Sequence, residues 1–158
     1  MKYISGIGDT SVRAFSGINI ARLTSMIQSK RLRINAKNVI VHVGTNDINS
    51  MDTGSIMSCY SNLISVIREV SEANIVISGI LPRPVDWLHT NDDVKQINKD
   101  LVEFCKKRRV RFVHTYKVFL HAGKPRRDLF AVRDRGLHLN LEGQRLLKAF
   151  FVNVVAHL

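Results

Sequence analysis

Four times along the chain a short β-rich run is followed by a longer stretch of helical period, an alternation that predicts a parallel sheet with crossover helices. Val12–Phe15 precedes 18–29, 38–43 precedes 55–71, 74–80 precedes 92–109, and 110–115 precedes 140–156. The strand cores Val39-Ile40-Val41-His42-Val43 and Ile75-Val76-Ile77 are continuous rather than alternating, as in strands covered on both faces. In the second helical stretch Ile56, Tyr60, Leu63, Ile64, Ile67 and Val70 recur at spacings of three and four, which places them on one buried face. The third sets Val94, Ile97, Leu101, Phe104 and Cys105 on one side and ends in Lys106-Lys107-Arg108-Arg109. That run suits the negative end of a helix dipole and is read as a solvated terminus in preference to a nucleic-acid patch.

No repeat, low-complexity tract or Pro/Gly/Ser linker divides the 158 residues, so one domain over 1–158 is expected. A chain of this length buries enough surface to need no staple, and Cys59 and Cys105 fall in helix-like stretches without zinc-like spacing. Both are expected as reduced thiols, and no metal or other cofactor is expected. No apolar run approaches the ~20 residues of a membrane span. The start of the chain lacks the apolar core of a secretion signal, so an intracellular location is expected.

The chain carries 24 Lys plus Arg against 13 Asp plus Glu, a formal charge of +11 that attracts polyanions or an anionic surface. Lys30, Arg31 and Arg33, and Lys124, Arg126 and Arg127, are candidate contacts for nucleic acid or an anionic membrane; solvated loop charge is the plainer reading.

In parallel α/β sheets, chemistry collects in the loops after the carboxyl ends of the strands. Gly17 opens the first such loop, where an amide without a side chain can face a cleft. Gly44-Thr45-Asn46-Asp47 follows the strongest strand: Gly44 permits a sharp exit, Asn46 offers a donor to an oxyanion, and Asp47 can tie the loop to nearby amides. An ordinary Asx turn explains the same residues. The third loop, 79–84, is stiffened by Pro82 and Pro84 and suits a lid or a plain connection. Trp87 and Leu88, beyond it, suit an acyl pocket or a simple anchor. The fourth runs from Arg133 to Asn140, with Asn140 as an N-cap and Gly143 just inside the helix. His138 with a nearby acid is the base-and-orienter pair that activates a hydroxyl.

Gly17, then Gly44-Thr45-Asn46-Asp47, then His138-Leu139-Asn140 with Gly143, resemble the second, third and fifth blocks of the SGNH, or GDSL-type, hydrolase superfamily. The likeness covers nearly the whole chain and extends to the SGNH domains of animal genomes and LINE-type retrotransposon proteins. It implies a flavodoxin-like three-layer αβα sandwich and metal-free hydrolysis of small acyl esters. In that family the first-block serine attacks the carbonyl. Carried over, Gly17 and Asn46 would be oxyanion donors, His138 the general base and Asp134 its orienting acid, with Gly44 and Asp47 supporting the loop.

Two departures stand against that pattern. The family's first block should lie well before the second, yet Gly8-Asp9-Thr10 stands too near Gly17 for the intervening helix and strand, and carries Thr for Ser. It is read as a chance match, leaving Thr10, Ser11 and Ser16 as available hydroxyls and a sheet lacking the family's first strand. The family also spaces its acid three residues before the histidine, where this chain has Arg135; Asp134 comes within reach only if a residue such as Gly136 bulges. A shortened, catalytically impaired domain is the resulting expectation. The other reading is a non-catalytic basic binding module, while a nucleotide-binding domain is disfavoured because no Gly-rich phosphate loop follows a strand.

Overall fold

The computed structural model describes residues 10–158. Helix α1 (Ile20–Gln28) comes first, capped by the Asn19 side chain, which accepts from the Arg22 N–H at 2.8 Å. Strand β1 (Asn38–Val41), helix α2 (Thr53–Val70), strand β2 (Asn74–Ser78), helix α3 (Trp87–Arg108) and strand β3 (Arg111–Val113) follow. The three strands stand in the order β1-β2-β3 and run parallel, with Val41 opposite Ile77 and Ile77 opposite Phe112. Parallel pairing follows from the crossovers, since α2 and α3 each carry the chain back along the sheet.

Alternating side chains divide the core into two layers. Val41, Ile75 and Ile77 pack with α1, α2 and α3, among them the fully buried Ile56, Leu63, Ile64, Ile97 and Leu101. Each such aliphatic side chain contributes about 1.5–3 kcal/mol by leaving water. Ile40, Val76 and Val113 face the other way, against Phe150 and Val154 of helix α5 (Leu141–Ala156). Helices on both faces of a parallel sheet make the expected three-layer αβα sandwich. Between β3 and α5 lie a short helix, α4 (Thr115–Val118), and a two-stranded hairpin of β4 (Leu120–His121) and β5 (Lys124–Pro125), which periodicity gave no reason to expect. Among the described residues no helix is long and apolar enough to cross a membrane.

The sequence-based expectations need three corrections. Val12–Phe15 forms no strand, because β structure requires a hydrogen-bonded neighbour and that segment pairs with none of the described residues. Among the described residues the sheet therefore begins at β1, whose outer edge has no partner strand there. Helix α3 starts at Trp87 rather than position 92, because Pro84–Asp86 forms a 3-10 turn that runs straight into it. The strands are also shorter than their apolar runs: β1 stops at Val41 and β2 at Ser78, and the residues beyond turn away into the site loops.

Candidate active site

The loop after β1 is shaped by Gly44. Its φ of +122° is one that side-chain-bearing residues rarely adopt, and a Cβ there would lie 2.5 Å from Tyr60 Oη and 2.8 Å from Ile80 Cδ1. The buried Tyr60 hydroxyl occupies that space because it donates to the Val43 carbonyl at 2.6 Å. Asp47 closes the turn with its N–H on the Gly44 carbonyl. The Asp47 side chain is fully buried, and its Oδ2 accepts from the N–H of Ile20, the first residue of α1, at 3.2 Å. Its Oδ1 has no hydrogen-bond partner among the described residues. Burial pushes this carboxyl above its ordinary range, against a smaller opposing pull from the Ile20 amide.

Asn46 joins the same two loops from the exposed side. Its Nδ2 donates to the Ile18 carbonyl at 2.8 Å, which uses one of two N–H groups and leaves the other for a ligand. Gly17, at φ +65°, has nothing within 4 Å of where a Cβ would stand. The Gly17 and Asn46 segments are thus held together by hydrogen bonds across 27 and 28 residues.

Arg83 brings in the third loop. Its buried guanidinium donates through Nη1 to the Thr45 carbonyl at 2.5 Å, and through Nε and Nη2 to Asp86 at 2.9 and 2.6 Å. Asn49 and Thr90 also donate to the Asp86 carboxylate. Desolvation alone would raise Asp86, but these hydrogen bonds and the adjacent cation outweigh it and hold the group down at about 2. This clamp was not legible beforehand; its only sequence signal is an arginine set between Pro82 and Pro84.

The fourth loop carries the acid–histidine pair. Asp134 Oδ2 lies 2.6 Å from His138 Nδ1, while Oδ1 accepts from the N–H groups of Gly136, Leu137 and His138. Two consecutive left-handed residues, Arg135 at φ +57° and Gly136 at φ +94°, take up the extra residue in the spacing. Gly136 packs on the third loop, where a Cβ would stand 2.6 Å from Pro84 Cβ. Desolvation opposes ionisation of Asp134, yet the bonds from the His138 ring and the three amides prevail and lower it to about 2. Behind this loop Asn140 caps α5 by accepting from the Gly143 N–H at 2.9 Å, and Gly143 lies so close to the Leu129 carbonyl that no side chain fits.

The structure therefore gathers Gly17, Gly44, Asn46 and Asp47 in one bonded unit and Asp134 with His138 in another. Arg83, on Thr45, and its neighbour Pro84, against Gly136, link the two. Thr10 is half-buried and Ser16 exposed, and among the described residues no hydroxyl is hydrogen-bonded to the His138 ring. Gly8 and Asp9 lie outside the described residues. Trp87 is half-buried against the core, whereas Leu88 is exposed. Cys105 is buried, Cys59 is half-buried, and both are free thiols.

The fold has parallels in solved structures. A GDSL-like lipase from Bacteroides thetaiotaomicron is 14% identical with a TM-score of 0.74, over 92% of this chain and 74% of its own. A lipolytic G-D-S-L family member from Veillonella parvula is 17% identical with a TM-score of 0.76, over 90% and 77%. The esterase domain of the ORF1 protein from the zebrafish ZfL2-1 retrotransposon is 23% identical with a TM-score of 0.56, over 99% and 92%. At such identities these likenesses show a common fold. No curated protein matches the sequence significantly. The profile of the GDSL-like lipase/acylhydrolase family, however, matches residues 4–146, nearly the whole chain, and the chain belongs to that family.

Proposed function

We propose that this domain hydrolyses small acyl esters through a hydroxyl nucleophile, with His138 as general base and Asp134 as its orienting acid. The observation that carries the reading is the 2.6 Å contact between Asp134 Oδ2 and His138 Nδ1. A carboxylate there fixes the tautomer with the proton on Nδ1, so Nε2 is left as a proton acceptor. The ring is 60% exposed, open to an incoming hydroxyl.

In the proposed reaction a hydroxyl oxygen attacks the ester carbonyl as its proton passes to His138 Nε2. The Gly17 amide and the free N–H of Asn46 stabilise the resulting oxyanion. His138 then returns the proton to the departing alcohol, and water repeats the sequence to release the acid. Thr10 and Ser16 are the candidate hydroxyls. With a threonine where the family's Gly-Asp-Ser signature carries its serine, turnover is expected to be slower than in relatives with a first-block serine.

Hydrolysis of p-nitrophenyl acetate by the full chain, beside His138→Ala, Thr10→Ala and Ser16→Ala, tests the reading. Loss of activity with His138→Ala and with one hydroxyl variant supports it. A folded protein no more active than His138→Ala overturns it.

A further inference from the structure

The amino ends of the strands, opposite the site loops, frame a second concavity. A cleft of about 540 Å³ opens there between the ends of α2 and α3, with Asn38, Ser71 and Asn74 among its lining residues. Arg68, Arg109 and Arg111 come into it from three different elements. Against them stands one carboxylate side chain, Glu72.

Three helices end here, α2, α3 and α5, whose His157 carbonyl accepts from Arg111 and whose next residue, Leu158, lines the cleft, and each brings roughly half a negative charge. Arg68 answers this directly by donating to the Arg108 carbonyl at 2.5 Å. Lys106, Lys107 and Arg108, on the last turn of α3, bring the balance to positive. Among the described residues, none of Arg68, Arg108, Arg109 and Arg111 is ion-paired with a carboxylate. Their recorded partners are the neutral acceptors Arg108 O, Ser61 Oγ and His157 O, together with the Phe104 ring.

Arg109 adds a second, independent observation. It occupies the left-handed position that ends α3, at φ +54°, with its N–H on Lys106 O and the Val110 N–H on Cys105 O. Helices that end this way favour glycine at that residue, because a side chain there is strained. The chain instead keeps a long cation at the position, beside the cleft it lines.

We propose that this cleft binds the phosphodiester backbone of single-stranded nucleic acid, with Arg68, Arg109 and Arg111 as its phosphate contacts. Several guanidinium groups along one concavity suit a run of phosphates better than one anion, and guanidinium geometry matches phosphate oxygens in pairs. The amides of Asn38 and Asn74 offer groups to sugars and base edges. A bilayer surface fits less well, because membrane-binding faces combine cations with protruding apolar side chains. The two most exposed, Leu88 at 91% in the first turn of α3 and Val132 at 92% just before the fourth loop, lie toward the other end, while Leu158 in the cleft and Val70 beside it are less than half exposed.

Fluorescence anisotropy of a labelled oligouridylate of about 20 nucleotides, titrated with the full chain, tests the proposal. The intact protein is expected to bind, with affinity falling steeply between about 50 and 200 mM salt. Arg109→Gly is expected to bind about three- to tenfold more weakly and with a shallower salt slope, while melting a few degrees higher because the helix end is relaxed. That opposition separates a contact from a folding defect. Arg68→Gln and Arg111→Gln are expected to weaken binding further, whereas Lys124→Gln with Arg127→Gln leaves it within about twofold. Esterase activity is expected to be untouched by all of these, so failure here is separable from failure of the hydrolase reading. Binding unchanged in Arg109→Gly, or lost equally in the Lys124/Arg127 variant, overturns the proposal. So does co-sedimentation with phosphatidylserine vesicles in the absence of oligonucleotide affinity.

Discussion

Asp134 and His138 stand one residue further apart in sequence than the family spacing, yet their side chains meet at 2.6 Å. Arg135 and Gly136, both left-handed, absorb the extra residue, and three backbone N–H groups hold the carboxylate in place. The pair is therefore built by the loop rather than by spacing alone.

Replacing Asp134 by Asn tests what that carboxylate does. An amide N–H aimed at His138 Nδ1 turns it into an acceptor and moves the ring proton to Nε2, which can no longer take a proton. We expect kcat to fall by on the order of 10²–10⁴ with KM little changed. Stability provides a second readout. The folded carboxyl titrates at about 2 instead of 3.8, so its contribution is complete above about pH 4 and is lost as pH falls toward 2. Circular dichroism across that window should show the stability gap between wild type and Asp134→Asn closing as acid is added.

Gly44→Ala should be destabilising by on the order of 2 kcal/mol or more, since it combines a strained φ with contact on Tyr60 Oη. Tyr60→Phe should cost about 1–3 kcal/mol by leaving the Val43 carbonyl unpaired. Because Phe removes the nearest clashing atom, Gly44→Ala should cost less in the Tyr60→Phe background. Urea unfolding of the double-mutant cycle measures that coupling.

Arg83→Met should strip the Asp86 carboxylate of its cation and release Thr45. Breaking a largely buried pair costs about 3–5 kcal/mol, and Arg83 and Asp86 are only 8% and 20% exposed. Asp86 is held at about 2 by these partners, so wild-type stability from this source should persist above pH 4 and vanish toward pH 2. In Arg83→Met that acid-labile component should shrink, as thermal melts at pH 3 and pH 7 would show.

Asn46→Ala should lower kcat on p-nitrophenyl acetate by on the order of 10²–10³ while KM changes little, as for a donor that acts only on the developing oxyanion. Because the same side chain holds Ile18, a melting curve recorded beside the kinetics separates the two roles. A rate loss that tracks a lowered Tm would assign Asn46 to the scaffold instead.

Much of the domain was legible residue by residue. The periodicity of Ile56, Tyr60, Leu63, Ile64 and Ile67 marks the buried face of α2, although Val70, expected on that face, is exposed at the helix end, and the β-branched cores of β1 and β2 mark a sheet covered on both sides, because both signals report which side chains must leave water. Asn140 and Gly143 announce the start of α5 for an equally local reason, the capping of its first turn. The start of α3 was not readable, since Pro82 and Pro84 point to a loop and the 3-10 turn that joins the helix leaves no periodic trace. Val12–Phe15 has the composition of a strand but no partner, and pairing is not a property of one segment.

The same distinction governs the sites. Sequence alone determined the fold class, the family likeness and the residues with usable chemistry, because helical period, β-branched runs and capping signals act over a few neighbouring positions. Tertiary structure alone decided that Asn46 reaches Ile18, that Arg83 ties Thr45 to Asp86, and that Arg68, Arg109 and Arg111 share one cleft. Such meetings depend on how helices pack across the sheet and where the loops turn, and no local pattern encodes contacts between residues so far apart in the chain.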